Sequence, residues 1–146
     1  MAKEKRFNDY IVYKPTKKNT GAALSLNMSP EMEAVFVRGA AQKGEHSFDW
    51  EKRIVMKWGL SDIGKMLALL EGRTKEVDLF HKTDKGHTTF TVKMGDDPKL
   101  PRYFVQMSKQ DAATKQVARV GLPISDDEAC ILTTLLKTAV VRITGW

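Results

Sequence analysis

The sequence predicts an α+β fold in which four strands and a helix are followed by four more strands and a second helix. Runs rich in β-branched and aromatic residues, separated by polar turns, predict the strands. At two places the apolar residues change from alternation to a spacing of about 3.6 residues, which indicates an amphipathic helix. The 146 residues contain no glycine/serine-rich linker, so we expect a single domain over residues 1–146.

The first half predicts an antiparallel meander followed by a helix. The predicted strands are Asp9–Pro15, Ala22–Met28, Glu33–Ala41 and Ser47–Trp58. Apolar and small or polar residues alternate along the second of these strands, so one of its sides is expected to face the core. The helix is predicted from Leu60, with Ser61 as its N-cap, to a point near Gly72. Its apolar face consists of Ile63, Met66, Leu67 and Leu70.

The second half repeats this order of elements without repeating the residues. The predicted strands are Glu76–Lys82, Thr88–Met94, Arg102–Lys109 and Gln116–Leu122. Ser125 and Glu128 have the spacing of a capping box, which predicts the start of the second helix. The apolar face of this helix consists of Ala129, Leu132, Leu135, Leu136 and Ala139.

Composition and charge favour a basic protein of a reducing compartment. The chain has 24 Lys and Arg residues against 18 Asp and Glu, a net charge of +6 that mildly favours a polyanionic partner. No apolar run approaches the about 20 residues that span a bilayer, so no membrane association is expected. Cys130 is the single cysteine and cannot form an internal disulfide, and Met1–Arg6 lacks the apolar segment of a secretory signal. Residues 1–8 are expected to form a flexible basic N-terminus.

No catalytic residues, metal ligands or cofactor are predicted. The three histidines lack the paired spacing of a zinc site, and Cys130 has no cysteine neighbour. The sequence also lacks a glycine-rich phosphate loop. Asp49 and Glu51 flank Trp50 on a predicted strand, where a solvated or ion-paired role is the commoner one. We therefore expect neither an enzyme nor a small-molecule substrate.

Cations and aromatic side chains are interleaved along the predicted strands, which favours a nucleic-acid-binding surface. Examples are Tyr13-Lys14, Phe36-Val37-Arg38, Trp50-Glu51-Lys52-Arg53, Lys57-Trp58, Phe80-His81-Lys82, Phe90-Thr91-Val92-Lys93 and Arg102-Tyr103-Phe104. A single strand offers both phosphates and exposed base faces, so a sheet that presents cations beside aromatic rings matches it without reading a sequence. The alternative stays open that the aromatic residues pack the core and that the charges lie on a solvated face.

Several short motifs, in the right order along the chain, resemble the Whirly family of single-stranded-DNA-binding proteins. They are Phe48-Asp49-Trp50-Glu51-Lys52-Arg53, Leu60-Ser61-Asp62-Ile63-Gly64, Leu79-Phe80-His81, Leu122-Pro123-Ile124-Ser125 and Gly145-Trp146. The resemblance covers about Tyr10 to Trp146. It implies two antiparallel four-stranded sheets packed crosswise, helices at the centre of a homotetramer, and single-stranded DNA bound over the sheets with little sequence preference.

The interleaved cations and aromatic residues, together with the family resemblance, predict which residues contact nucleic acid. The expected nucleic-acid contacts are Tyr13, Lys14, Lys17, Lys18, Phe36, Arg38, Trp50, Lys52, Arg53, Lys57, Lys93 and Arg119. For Trp50 a buried structural role is an equal alternative. The resemblance places the second helix in the subunit interface, through Leu132, Leu135, Leu136 and Ala139, together with Ile131 and Val140. It also suggests that Cys130 packs beside this interface and that His81 is a packed or hydrogen-bonded residue.

The chain departs from the family pattern in the loop from Lys14 to Gly21. This loop is longer and more basic than the family's Lys-Gly-Lys stretch, so assembly of tetramers into larger shells is left open. The Arg- and Ser-rich transit peptide of plant members is not seen, which suggests a cytoplasmic, nucleoid-associated bacterial or phage protein, or an organellar one after trimming. The expected function is binding of single-stranded DNA in replication, recombination, repair or transcription. Single-stranded RNA binding and a protein-interaction scaffold are the alternatives.

Overall fold

Within residues 9–146, the part of the chain that the computed structural model describes, there are nine strands, two α-helices and a short 3-10 turn. The expected flexible N-terminus, residues 1–8, lies outside the described residues. In chain order the elements are β1 (Asp9–Lys14), β2 (Ala22–Ser29), β3 (Ala34–Gly44), β4 (Ser47–Phe48), the 3-10 turn (Trp50–Lys52), β5 (Ile54–Trp58), α1 (Leu60–Leu70), β6 (Glu76–Thr83), β7 (Gly86–Met94), β8 (Tyr103–Asp111), β9 (Val117–Ile124) and α2 (Asp126–Thr144). The predicted succession of strands, helix, strands and helix is confirmed.

The first sheet contains five strands rather than the predicted four. Strands β1, β2 and β3 pair antiparallel in sequence order, and β3 then pairs with both β4 and β5. The prediction of one strand over residues 47–58 is wrong because the register of β3 against β4 shifts between Gln42 and Gly44. The chain leaves the sheet there, and Asp49 and Trp50 accept the N–H groups of Lys52 and Arg53, at 3.2 and 3.4 Å, in the 3-10 turn. Consequently Asp49 and Glu51 do not share the face of a strand.

The second sheet is the predicted meander of four strands. β6, β7, β8 and β9 pair antiparallel in sequence order. Val77, Phe90, Met107 and Leu122 are buried on one side of this sheet, as their alternation with exposed residues requires. Observed strand ends differ from the predicted ones by at most two residues.

The two sheets pack face to face and cross. β5 contacts both β7 and β8, and β9 contacts both β2 and β3, as expected when strands of one sheet run across strands of the other. At Gly39 in β3 the sheets pack tightly, because an added Cβ would lie 2.7 Å from Cγ2 of Val120 and 2.9 Å from the sulfur of Met107. A side chain at this position would force Val120 and Met107 to shift.

Helix α1 begins one residue before the expected cap. Its N-cap is Gly59, whose N–H donates to the Asp62 carboxylate at 3.3 Å, so Ser61 lies inside the helix and the predicted Ser61 cap is wrong. Ile63, Met66 and Leu69 are buried against the sheets, and the helix ends before Gly72, which has φ +79°.

Helix α2 begins where the sequence predicts and extends to Thr144. Its N-cap is Ser125, whose N–H donates to Oε1 of Glu128 at 2.9 Å, and Gly145 ends it with φ +76°. Helices α1 and α2 contact each other beside the sheets. Among residues 9–146 no helix is long and apolar enough to cross a membrane.

Candidate nucleic-acid interface

The first sheet turns a largely polar face with two aromatic rings away from the core. Because Val35, Val37 and Met56 are buried, the alternating residues between them point outward. We call the outward side of this sheet the first outer face; it includes Ile11, Tyr13, Asn27, Phe36, Arg38, Val55 and Lys57. The predicted contacts Phe36, Arg38 and Lys57 are thus brought together, with Phe36 directly opposite Lys57 in the β3–β5 ladder.

Arg38 is already engaged on this face. Its Nη1 donates to Oδ1 of Asn27 at 2.7 Å, and its guanidinium carbon lies 5.5 Å from the centroid of the half-buried Phe36 ring. A guanidinium held over an aromatic ring keeps its charge but is less free to move toward a ligand. The arrangement therefore offers a fixed positive charge and little open aromatic surface.

A second group of predicted contacts lies at the corner where β1 meets β4. Tyr13 is 54% exposed, and its ring centroid is 5.6 Å from that of Phe48. Trp50 is half-buried in the 3-10 turn, and its carbonyl accepts a hydrogen bond from Nη1 of Arg53 at 2.7 Å. Lys52 and Arg53 are exposed beside it. The structure thus places Trp50 off the strands, where its backbone anchors a neighbouring cation.

Lys14 is separated from the other predicted contacts. It shares the inward side of β1 with Val12, and its Nζ lies 2.8 Å from Oε1 of Glu128 at the start of α2. Burial alone would raise the pKa of Glu128, but hydrogen bonds from Lys14 and Ser125 outweigh it and hold that pKa below its ordinary value. This corrects the expectation for Lys14, whose ammonium group joins the sheet to α2 instead of facing outward.

Lys17 and Lys18 lie on the exposed loop after β1. The loop is tied down by the carboxamide of Gln42, a residue of β3 that is only 7% exposed. Sequence reasoning did not single out this glutamine, since nothing in the local pattern shows that a strand residue reaches back to a loop more than 20 positions earlier.

Two exposed aromatic side chains lie on the outward side of the second sheet. Phe80 is 59% exposed and Phe104 is 52% exposed. The ring of His87 lies 5.2 Å from that of Phe80, at an angle of 32°. We call this side the second outer face; it includes Asp78, Phe80, Lys82, His87, Lys93, Phe104, Gln106 and Arg119.

Lys93 and Arg119 are the two predicted contacts on the second outer face. Lys93 is opposite Phe104 and its Nζ is 3.9 Å from the carboxylate of Glu76, whereas Arg119 is opposite Ser108 in β8. Phe80 and Phe104 were missing from the predicted contacts. Strand alternation could have found them, because their neighbours Leu79 and Val105 are apolar and face the core.

The apolar side of α2 belongs mostly to the chain's own core. Leu132, Leu136 and Ala139 are 4%, 2% and 2% exposed, so these three are not available to a second subunit. Of the residues predicted for an interface, Ile131 and Leu135 lie on the outward stripe of the helix and are almost half exposed. Leu135 also lines a groove of about 370 Å³ between α2 and strands β1 to β3.

Other residues singled out by the sequence have ordinary surroundings. Cys130 is exposed on α2, next to the exposed Ile131, so its packing beside a subunit interface stays a prediction. His81 is hydrogen-bonded, as expected, with Nε2 3.1 Å from Oδ2 of Asp62. In the part of the chain that the structure describes, no group of three or more His, Cys, Asp or Glu side chains is arranged to hold a metal ion.

Comparison with known proteins identifies the family. The family described as Whirly transcription factor matches residues 12–135. The single-stranded DNA-binding protein WHY1, chloroplastic, of Arabidopsis thaliana is 23% identical to this chain, over 73% of this chain and 42% of its own length. The protein of the same name from Solanum tuberosum is 21% identical, over 97% of this chain and 56% of its own length. The chain therefore spans about half the length of the curated relatives it matches.

Solved structures share the fold. The plant transcriptional regulator PBF-2 has a TM-score of 0.77 at 21% identity and covers 99% of this chain and 94% of its own. A guideRNA-binding protein complex bound to a gRNA has a TM-score of 0.69 at 16% identity, over 94% of this chain and 92% of its own. The crossed sheets and paired helices confirm the predicted fold class. With a family match that spans most of its length, the chain belongs to the Whirly family.

Proposed function

We propose that this chain binds single-stranded DNA with little sequence preference through the outward sides of its two sheets. The observation that carries the proposal is the pair of exposed rings, Phe80 and Phe104, among the cations of the second outer face. Exposed phenylalanine rings on a regular strand gain nothing from the core, whereas stacking on a base contributes about 1–3 kcal/mol per base. The names of the curated relatives, single-stranded DNA-binding proteins, support the same ligand.

The positions of the two rings suit separate bases of one strand. Phe80 is in register with Ser108, so Phe104 lies two strands and four residues away from it. With strands about 4.8 Å apart and about 3.4 Å per residue, the two rings are separated by about 17 Å. Lys93 lies opposite Phe104, and Lys82 lies two residues from Phe80 on the same side of β6, so each ring has a cation near it for the phosphates. Arg119, opposite Ser108 in β8, supplies a further cation at the β9 edge of this face. Because stacking uses the flat face that every base has, such a surface accepts any sequence.

The first outer face has a different part in this proposal. Arg38 and Lys57 supply positive charge on the opposite side of the sandwich, while Phe36 lies largely beneath Arg38. We assign the part of this face around Arg38 and Lys57 to contacts with the phosphate backbone rather than to stacking.

Single strands should be distinguished from duplexes because paired bases hide their faces. Binding of a labelled oligo-thymidine and of a matching duplex is measured by fluorescence anisotropy over a salt series. The proposal expects tighter binding to the single strand and an affinity that falls with salt. Equal affinity for the duplex, or no binding to the single strand at low salt, overturns it.

RNA is the second candidate ligand. The fold is shared with a guideRNA-binding protein complex, and a stacking surface does not by itself reject a 2′-hydroxyl. Competition between DNA and RNA oligomers of the same sequence decides between them; preferential displacement by RNA would make RNA the ligand.

We also propose that the chain works as a homotetramer, with the exposed Ile131 and Leu135 of α2 in the subunit interface. Four copies would multiply the net charge of +6 and let one strand contact several protomers at high effective concentration. Within this proposal the protein protects or organises single strands in replication, recombination, repair or transcription and performs no catalytic step. The chloroplastic names of the relatives favour an organelle over the cytoplasm, which cell fractionation would test.

A further inference from the structure

One buried carboxamide organises the basic loop that follows β1. Oε1 of Gln42 accepts the N–H groups of Thr16 and Gly21 at 2.8 and 3.0 Å. Its Nε2 lies within donating distance of the carbonyls of Thr16 and Gly44, at 3.1 and 3.0 Å, and of Oδ1 of Asn19 at 3.2 Å. A side chain that is more than nine-tenths buried thus holds both ends of the loop, Pro15–Gly21, and connects them to the end of β3.

The loop is also closed from within. The carbonyl of Thr16 accepts the N–H of Asn19 at 3.2 Å, and Oγ1 of Thr16 accepts the N–H of Thr20 at 2.9 Å. At Gly21 an added Cβ would lie 2.0 Å from the carbonyl oxygen of Lys14, so the chain passes too close there for any other residue. These contacts fix the shape of a loop that would otherwise be free.

The fixed loop presents two lysines beside an aromatic pair. Lys17 and Lys18 form its exposed tip, and within residues 9–146 neither ammonium group has a carboxylate within 4.0 Å, in contrast to Lys14. Tyr13, two residues before the loop, points outward and packs against Phe48. Free cations next to an exposed ring are the two elements that a nucleic-acid backbone and its bases require.

We propose that Gln42 is a positioning residue for nucleic-acid binding, which holds the Lys17–Lys18 turn where its ammonium groups contact the backbone of a strand that passes Tyr13. The inference rests on the proposed function, since it needs a single-stranded ligand. Its physical basis is preorganisation: a loop already ordered by Gln42 loses little conformational entropy when the strand binds. Gln42 itself does not touch the ligand.

A double-mutant cycle tests whether Gln42 acts through the two lysines. Oligo-thymidine binding is measured over a salt series for the wild type, Q42A, the double variant K17A/K18A, and the triple variant. Removing two phosphate contacts should make log K fall less steeply with log salt, with a slope about 1.4 smaller in magnitude. Q42A should weaken binding about fivefold in the wild-type background, although it removes no charge, and by less than about 1.5-fold when both lysines are absent.

Control variants separate this role from a general loss of fold. Q116A makes the same change at an exposed glutamine, and should leave the affinity unchanged. T16V removes the hydroxyl that closes the exposed side of the loop, so it should reproduce part of the Q42A effect without touching a buried site, even where Q42A does not fold.

Each outcome has one meaning. If the wild type does not bind oligo-thymidine, the proposed function fails and the inference fails with it. If the wild type binds but the effects of Q42A and K17A/K18A simply add, the inference alone is overturned. Where Q42A does not fold, T16V is combined with K17A/K18A instead, and additive effects there overturn the inference in the same way. It is also overturned if K17A/K18A changes the oligomeric state by light scattering and leaves the salt dependence intact, because the loop would then be a contact between copies of this chain.

Discussion

Phe36 on the first sheet and Phe80 on the second occupy comparable outward positions on their strands, yet only Phe80 is open to solvent. Phe36 is half-buried beneath the guanidinium of Arg38, which Asn27 holds in place. Phe80 is 59% exposed, and its closest aromatic neighbour is His87, across the β6–β7 ladder. The neighbouring side chains on the same face therefore decide whether each ring can accept a base.

The comparison separates two kinds of contact that look alike in the sequence. Both outer faces interleave cations with aromatic residues along strands, and the sequence pattern treats them as one surface. On the first outer face Phe36 lies beside the hydrogen-bonded Arg38, and the exposed ring of Tyr13 packs against Phe48 at the β1 edge. The second outer face has two open rings, Phe80 and Phe104. We therefore expect the second outer face to contribute stacking and the first to contribute charge.

The largest expected effect comes from removing the two open rings. F80A/F104A should weaken oligo-thymidine binding about 100-fold, since each ring contributes about 1–3 kcal/mol by stacking. F36A is the matched control on the first outer face and should weaken binding less than about threefold. Anisotropy titrations of both variants provide the test, with thermal melts to confirm folding. Equal losses in the two variants would remove the distinction between the faces.

A change on α2 tests whether several protomers share a strand. L135D places a charge on the exposed stripe of the helix and should dissociate the tetramer in light scattering, because a buried unpaired carboxylate is costly at an interface. The loss of avidity should weaken binding of a long oligo-thymidine about tenfold and of a short one hardly at all. A variant that remains tetrameric would show that this part of α2 is not in the interface.

Single cation substitutions refine the comparison of the faces. R119A removes one phosphate contact, so the slope of log K against log salt should become smaller in magnitude by about 0.7. Binding should weaken about fivefold. R38A should reduce the salt dependence by a similar amount, because its guanidinium keeps its charge over Phe36 and we assign it to phosphate contacts. An unchanged salt dependence in R38A would remove Arg38 from the phosphate contacts. No change in either would favour a protein-interaction scaffold.

The smallest expected effect on binding comes from Lys14, which faces inward. K14M should leave oligo-thymidine affinity within about twofold, yet lower stability by about 1 kcal/mol, or about 3 °C in Tm, by breaking the partly buried ion pair with Glu128. The folded-state pKa of Glu128 lies below its ordinary value of 4.5, so the pair stabilises the protein above that pH and loses this contribution as the pH falls further. The difference in Tm between wild type and K14M should therefore be present at pH 7 and disappear in acid. A constant difference at all pH values would contradict this.

The sequence predicts the order of elements well because that order depends on local periodicity. Alternation places Phe80 and Phe104 outward, and it also places Lys14 on the same side as the buried Val12. The break in the fourth predicted strand depends on a shift of register against β3, which no local pattern reveals.

Long-range partners explain the other errors at the site. Glu128 is far from Lys14 in sequence, as Gln42 is from the loop it holds, so neither contact can be predicted from neighbouring residues. The apolar stripe of α2 has the same pattern whether it packs on its own sheets or on a second subunit. Burial shows that Leu132 and Leu136 do the former.

Ultraviolet crosslinking of oligo-thymidine to the protein, followed by mass spectrometry of the peptides, tests the central claim most directly. Thymine crosslinks to side chains on which it stacks, so the adducts report which rings hold bases. We expect adducts on the peptides that contain Phe80 and Phe104, and their loss in F80A/F104A. Adducts confined to the first outer face or to α1 and α2 would contradict the assignment of base stacking to the second outer face.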